Sequence, residues 1–399
     1  IFYTGPERRC ECLSGKAQAR LEELLRNALM SEPSVMFQEL PAASGKLGLV
    51  TLNVAATLNS LTLEMVDLLQ EKLDAWLHDD AIAAVFIEGA GEKAFCAGGD
   101  IQALHQSAVA TPGGPCDYAE NFFAREYCLN YTLYTYRKPI ICWGHGIVMG
   151  GGLGVMAGCS HRVVTEKTRI AMPEVTIALF PDVGGTWFLN HMPASSGTFL
   201  ALTGASINAA DAIYTGIADR FISSERKPEV LEQLLRQDWG AEPPTNHALA
   251  RHVLRSFAEQ SLDQCPVGQV ESHLSAINTL CDGDDIHEII DNIASLQTSD
   301  PWLSKASESL SRGSPLAALW IFRQLVELRH ASLKEVFQSE IQLVTNIVRH
   351  PEFAEGVRAL LIDKDRSPSW QYQSSRDVPA GVLAAFFDAP WDINPLADL

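Results

Sequence analysis

Pro139-Ile-Ile-Cys-Trp143-Gly-His145-Gly-Ile-Val-Met149-Gly-Gly-Gly152-Leu-Gly154-Val-Met-Ala157-Gly158 admits three architectures, and the choice among them decides the fold. From Ile140 to Ser160 there is no formal charge, the length suffices to span a bilayer, and Gly150, Gly154 and Gly158 are spaced like a helix-dimerisation face. Glycine is too dense for a membrane span, the segment is the only one of its kind, and Arg137-Lys138 and Arg162 give little charge asymmetry across it. Gly152-Leu-Gly154-Val-Met-Ala157 also fits the dinucleotide-binding pattern, with Glu174 twenty residues beyond Gly154, where a ribose-binding acid is expected. The next strand begins near His161, too soon for a crossover helix, and Glu174 follows Pro173 instead of ending a strand. A buried strand over Pro139–Trp143, a tight glycine turn and a short helix over Gly151–Gly158 account for the same letters.

The flanks repeat the alternation. Leu47–Asn53 reads as a strand, and Thr62–His78 as a helix whose apolar stripe is Leu63, Val66, Leu69, Leu73 and Leu77. Ala84–Glu88 is a second buried strand, and His161–Thr165 with Thr168–Met172 is predicted to be a two-strand ribbon. Strands alternating with helices argue an α/β core. Past Ser206 the character turns helical, over Asn208–Tyr214 and most of Glu229–Leu296, with Glu242-Pro-Pro-Thr245 as a loop. Gly313-Ser-Pro315 opens a further helix in which Ser314 caps, Pro315 occupies the first turn, and Leu316, Leu319, Ile321, Phe322 and Leu325 form the apolar face. The expected organisation is an N-terminal extension over 1–40 with an amphipathic helix in 1–30, a core over 41–240, and a helical C-terminal region over 241–399.

Composition narrows the partners. Of 399 residues, 47% are hydrophobic and 20% charged, which is globular usage, and 30 Lys and Arg against 49 Asp and Glu leave a net charge of −19. That excess of acid disfavours nucleic-acid phosphates and anionic membrane surfaces as partners, and an anionic ligand needs a local basic lining. Nine cysteines, odd in number and several inside apolar runs, suggest a reducing compartment. No pair has zinc-ligand spacing, so no metal is expected. Acidic Glu7, Glu11, Glu22 and Glu23 among the basic residues of 1–30 argue against a transit peptide there; a bacterial cytoplasm is expected, with a mitochondrial matrix as the alternative.

The chain lacks a Gly-x-Ser-x-Gly elbow and a phosphate-binding Gly-Lys-Ser/Thr loop, and His287-Glu288 has no second zinc-helix histidine, which removes support for three enzyme classes. Two glycine clusters remain, Phe95-Cys-Ala-Gly-Gly-Asp100 and His145-Gly-Ile-Val-Met-Gly-Gly-Gly152, each leaving a buried strand. They could be tight turns and nothing more. Equally, glycines let backbone N–H groups approach a ligand, and two such groups from separate loops make an oxyanion hole. Glu174 and Asp182, eight residues apart in a Pro-flanked apolar segment, are either exposed loop acids or a pair whose pKa values burial raises towards acid–base usefulness.

Leu58-Asn59-Ser-Leu61, Ala94-Phe95-Cys-Ala-Gly-Gly-Asp100-Ile101, Gly146–Gly152 and Met172-Pro-Glu174…Phe180-Pro-Asp182-Val-Gly-Gly185 together resemble the crotonase (enoyl-CoA hydratase/isomerase) superfamily. The likeness runs from about Leu47 to Ser314-Pro315 and Glu355–Asp365, followed by Pro368 and Trp370, and is strongest to members that hydrolyse acyl-CoA thioesters. It implies a ClpP-like spiral of ββα units with a helical C-terminal region that completes the acyl-CoA pocket. It also implies that the Gly99 and Gly151 N–H groups form the oxyanion hole, that Glu174 and Asp182 are catalytic, and that Glu126, Gly98, Gly151, Asp100 and Ile101 contact substrate. From sequence alone Glu126 would pass as a solvated helix residue. Enoyl-CoA hydratases of the superfamily carry a second catalytic glutamate at the position of Gly154 and a glycine at that of Asp182, so the expected reaction is hydrolysis of a short branched 3-hydroxyacyl-CoA, foremost 3-hydroxyisobutyryl-CoA in valine degradation. Another crotonase reaction and a non-catalytic CoA-binding scaffold are the alternatives. No cofactor is implied, since CoA belongs to the substrate. The Arg-Pro-Lys-Ala run that relatives often have is replaced by Val54-Ala-Ala-Thr57, which leaves the CoA phosphates to Lys364 or other basic residues. Assembly into a homo-oligomer, common among such proteins, stays open.

Overall fold

A strand whose two faces are both apolar needs a helical layer on each side. Ile82–Gly89 is such a strand, buried along almost its whole length. A computed structural model describes residues 32–399 and places this strand at the middle of a six-stranded sheet. In chain order the strands are β1 (Val35–Pro41), β2 (Lys46–Leu52), β3 (Ile82–Gly89), β4 (Ala94–Cys96), β5 (Ile140–Gly144), β6 (Ile147–Met149), β7 (His161–Val164), β8 (Arg169–Ala171) and β9 (Arg220–Phe221). The larger sheet runs β1-β2-β3-β5-β7-β9, antiparallel only between β1 and β2, and the smaller is the parallel set β4-β6-β8.

The two sheets climb together. Each turn of chain lays one strand in the large sheet and the next in the small one, β3 then β4, β5 then β6, β7 then β8, so that Val85 sits beside Ile140 and Cys96 beside Val148. This is the ββα spiral. It overturns the predicted ribbon: β7 pairs with β5, and β8 pairs with β6, not with β7. The reason lies in the Thr165–Thr168 turn, where the buried Thr168 hydroxyl accepts from the Thr165 N–H at 2.8 Å and donates to the Gly144 carbonyl at 2.7 Å. That bond ties the turn to the end of β5 and sends the chain from one sheet to the other.

The helix predicted over Thr62–His78 spans Leu63–His78, with Thr62 as its cap, and buries Val66, Leu69 and Leu73. Its buried face also includes Met65 and Trp76, while Leu63 and Leu77 are half-buried. The Trp76 ring turns the face: its Nε1 donates to Glu39 at 3.1 Å on β1. Glu242-Pro-Pro-Thr245 is not a loop but the start of the helix Pro243–Glu259, because prolines in a first turn give up N–H groups that no helical carbonyl would have used. Ser314 caps the helix Pro315–Glu327 through the Ala317 N–H at 3.1 Å, as expected. The regular secondary structure beyond β9 is helical, and residues Val35–Leu399 form one unit. The amphipathic helix expected within 1–30 lies outside the described residues. Among the described residues no helix is long and apolar enough to cross a membrane; Ile140–Ser160 is two strands and the short helix Gly151–Gly158.

Candidate active site

The turn after β4 is built around Asn59, a wholly buried residue in the left-handed region. Its Nδ2 donates to the carbonyls of Ala90 and Ala94 at 3.0 Å and Phe95 at 3.2 Å, and its Oδ1 accepts from the Val54 N–H at 2.9 Å. Three backbone bonds then strap the glycines to the Leu58–Leu61 segment: Ala97 N to Leu58 O, Leu61 N to Gly98 O and Asp100 N to Leu61 O. The Gly99 N–H has no acceptor among the described residues. The second turn, Gly150-Gly151, opens the buried helix Gly151–Gly158, whose first N–H groups have no carbonyl within the helix to bond.

The two turns meet at one small space. A Cβ at Gly151 would lie 2.2 Å from Oε1 of Glu126 and 3.4 Å from the Gly99 nitrogen. The Gly99 and Gly151 amides thus border the same volume, with Glu126 reaching in from the helix Asp117–Thr135. Glu126 is not solvated, as sequence alone would have it, but 2% exposed, and its Oε1 has no hydrogen-bond partner.

Glu174 and Asp182 complete the wall. Glu174 begins a 3-10 turn after Pro173; a Cβ at Gly150 would lie 3.2 Å from its Oε1, and its Oε2 is buried without a partner. Asp182 accepts from the Tyr127 hydroxyl at 2.7 Å. Burial pushes the Glu174 carboxyl well above its ordinary range, with the nearby Asp182 adding to the effect, and burial and Asp182 do the same to Glu126. Asp182 is raised to about 6, burial outweighing the Tyr127 hydrogen bond that holds it down. Cys96, also beside the first turn, is fully buried with its thiol pushed up to about 12, which removes it as a nucleophile.

Gly98, Gly99, Ile101, Glu126, Gly151, Glu174 and Asp182 all line one cavity of about 180 Å³, open to solvent on one side, whose wall also carries apolar groups such as Phe122 and Leu361. Asp100 stands outside that lining: its Oδ1 caps the helix Ile101–Ala110 through the Ala103 N–H at 3.2 Å. Lys364 is exposed and lines none of it; Thr176 and Leu360 also border a second cleft that carries Lys305, Arg312 and Arg366. Among the described residues no His, Cys, Asp and Glu group is arranged to hold a metal ion, and the described cysteines are free thiols.

Two groups of the site escaped the sequence. Tyr127 lies on the helix Asp117–Thr135, where Phe122, Phe123, Glu126, Tyr127, Asn130 and Leu133 form a buried stripe. Glu340 lies on the helix Leu333–Arg349 between the buried Phe337, Ile341 and Val344, and accepts from the Gly184 N–H at 2.8 Å and the Thr186 N–H at 3.0 Å. A carboxylate on the apolar stripe of an amphipathic helix is the signal that Glu340 gives, as Glu126 does on its own helix.

A spiral of paired sheets with two glycine turns facing a buried acid pair defines a class, and the comparisons with known proteins agree: the chain belongs to the enoyl-CoA hydratase/isomerase family, whose model matches residues 47–387. Its architecture is the crotonase fold. Within that family it is 38% identical over 391 residues to a mitochondrial 3-hydroxyisobutyryl-CoA hydrolase of Danio rerio, covering 97% of this chain and 96% of the relative. The human protein of the same name is 35% identical over 360 residues, covering 90% and 91%. Among solved structures, an enoyl-CoA hydratase from Rhodobacter sphaeroides superposes with a TM-score of 0.77 at 32% identity, covering 90% of this chain and 98% of its own. A carnitinyl-CoA dehydratase from Mycobacterium thermoresistibile gives 0.78 at 32% identity, covering 91% and 98%.

Proposed function

We propose that this chain hydrolyses 3-hydroxyisobutyryl-CoA to 3-hydroxyisobutyrate and CoA, a step of valine degradation. The observation that carries this reading is the pairing of Glu174 with Asp182 opposite two unclaimed N–H groups, in a cavity where a second glutamate has no room at position 154. A Cβ on Gly154 would lie 2.5 Å from Cβ of Val183, so the very loop that brings Asp182 excludes the side chain a two-glutamate hydration would use.

The thioester oxygen accepts from Gly99 and Gly151 as negative charge builds on it, and the field at the start of the helix Gly151–Gly158 favours that charge. The raised pKa makes ionised Glu174 a stronger base and nucleophile than an ordinary carboxylate, so it either takes a proton from the attacking water or attacks the carbonyl carbon itself, forming a mixed anhydride that water then cleaves to release the acid and restore Glu174. The C–S bond breaks, and Asp182, whose pKa near 6 lets it both give and take a proton around neutrality, delivers a proton to the departing thiolate or orients the water. Glu126, with its unpartnered Oε1 beside Gly151, receives the substrate's 3-hydroxyl. These groups supply polarisation, nucleophile and acid, and the reaction draws on no cofactor. The mitochondrial names of the relatives favour the matrix over a bacterial cytoplasm.

Thiol release from 3-hydroxyisobutyryl-CoA, set against loss of enoyl absorbance from crotonyl-CoA, tests the reading. Thiol release alone is expected, while crotonyl-CoA hydration would replace it with the hydratase reading, and binding without turnover with a CoA scaffold. Glu174→Gln and Asp182→Asn should each lower thiol release by about 10²–10⁴-fold with CoA affinity largely kept. Full activity in either variant removes that residue from the reaction.

A further inference from the structure

Asp182 sits on a loop that the chain would not adopt unaided. Val183, directly after it, has φ +53°, where a β-branched side chain is strained, and Gly184 has φ +82°. Two helices close over this loop. From Leu333–Arg349 comes Glu340, wholly buried and bonded to the N–H groups of Gly184 and Thr186; from Asp117–Thr135 comes Tyr127, bonded to Oδ2 of Asp182. Phe337, one turn before Glu340, joins them: its ring lies 5.9 Å from that of Tyr127, and its Cζ would be 3.1 Å from a Cβ at Gly184.

We propose that Tyr127 and Glu340 are positioning residues of the reaction, Tyr127 fixing the Asp182 carboxylate and Glu340 pinning the strained backbone that presents it. The proposal rests on the reading of Asp182 as a catalytic group. A carboxyl in this position is costly to bury, and among the described residues no ion pair offsets that cost; an apolar side chain of similar size would not incur it. What an apolar residue cannot do is accept two backbone N–H groups, one from left-handed Gly184 and one from Thr186 in the first turn of the helix Gly185–Asn190. Likewise the Tyr127 ring alone would fill its place among Phe123 and Phe337, and only the hydroxyl reaches Asp182.

Among the described residues, the titratable groups that face Asp182 are Glu126 and Tyr127 from one helix, Glu174 from the preceding turn and Glu340 from the other helix, and none of these is a cation. The Tyr127 hydroxyl is therefore the side-chain donor that favours the ionised form of Asp182, and its removal must move that group's titration to higher pH.

The test is the pH dependence of kcat for thiol release from 3-hydroxyisobutyryl-CoA. Asp182→Asn first identifies the limb of the profile that Asp182 sets, because that limb disappears. In Tyr127→Phe, which keeps the ring, kcat should fall about tenfold with KM within about twofold, and the identified limb should shift upward. Glu340→Gln, which leaves one good acceptor for two N–H groups, should also lower kcat at constant KM, and Glu340→Ala should lower it further. An unmoved limb together with wild-type kcat in Tyr127→Phe overturns the proposal even where Asp182→Asn shows the large loss of activity expected of a catalytic group. Full activity in Asp182→Asn instead overturns the catalytic reading of Asp182. Should the Glu340 variants fail to fold, Tyr127→Phe decides alone.

Discussion

The smallest feature that matters here is a missing methyl group. At Gly151 a Cβ would enter the space that the Gly99 amide and the Glu126 carboxyl already border, at 3.4 Å and 2.2 Å. Glu126 is the far end of a side chain and can yield, so Gly151→Ala is expected to fold, but its methyl would stand where the thioester oxygen must approach the two N–H groups. Loss of one donor of this kind costs about 10²–10³ in kcat, and Gly151→Ala should fall in that range with an unchanged unfolding midpoint. Gly381→Ala, whose methyl meets nothing within 4 Å, should match the parent and serves as the control. The Gly-Gly pairs were legible in the sequence as a pattern that suits such a task. That Glu126 shares their cavity was carried only by the family resemblance, because charge alone argues for solvent.

Among the elements, the strap around Asn59 has the largest expected effect on stability. One side chain there satisfies three carbonyls and one N–H from segments up to 36 residues away, and it is wholly buried. Asn59→Ala leaves those groups without partners and should destabilise the fold by about 2–4 kcal/mol in denaturant titrations. A loss below about 1 kcal/mol would mean that the turn after β4 is held chiefly by its backbone bonds to Leu58 and Leu61. Helix and strand positions followed the hydrophobic period well over Leu63–His78, β2, β3 and β5, since each buries one stripe or both faces locally. The failures share a cause. Pairing of β8 with β6 and the helical start at Pro243 depend on where a turn sends the chain and on which N–H groups are spare, and periodicity reports neither.

Over the whole molecule, the acids buried around the site set how stability follows pH. Glu340 is raised by burial from an ordinary 4.5 to about 8, and Glu126 and Glu174 are raised in the same direction. A group with a raised pKa holds its proton longer when folded, so its contribution is complete below the ordinary value and is lost as pH climbs through the folded one. Histidines lowered by burial, such as His161, act oppositely but only below 6.5, their ordinary value. Between about pH 7 and 8.5 the thermal midpoint should therefore drop, and Glu340→Gln should flatten that slope; a midpoint that rises over this interval would refute the assignment of protons to these acids. The chain's own letters determined the alternation of strands and helices, the two glycine bends and the acidic pair beyond them, because each is a local pattern of burial and backbone freedom. Only the tertiary structure decided that Tyr127 meets Asp182 and that Glu340 holds the loop behind it. A buried stripe declares that a helix face is covered, and which residues cover it is settled by the docking of helices 200 residues apart.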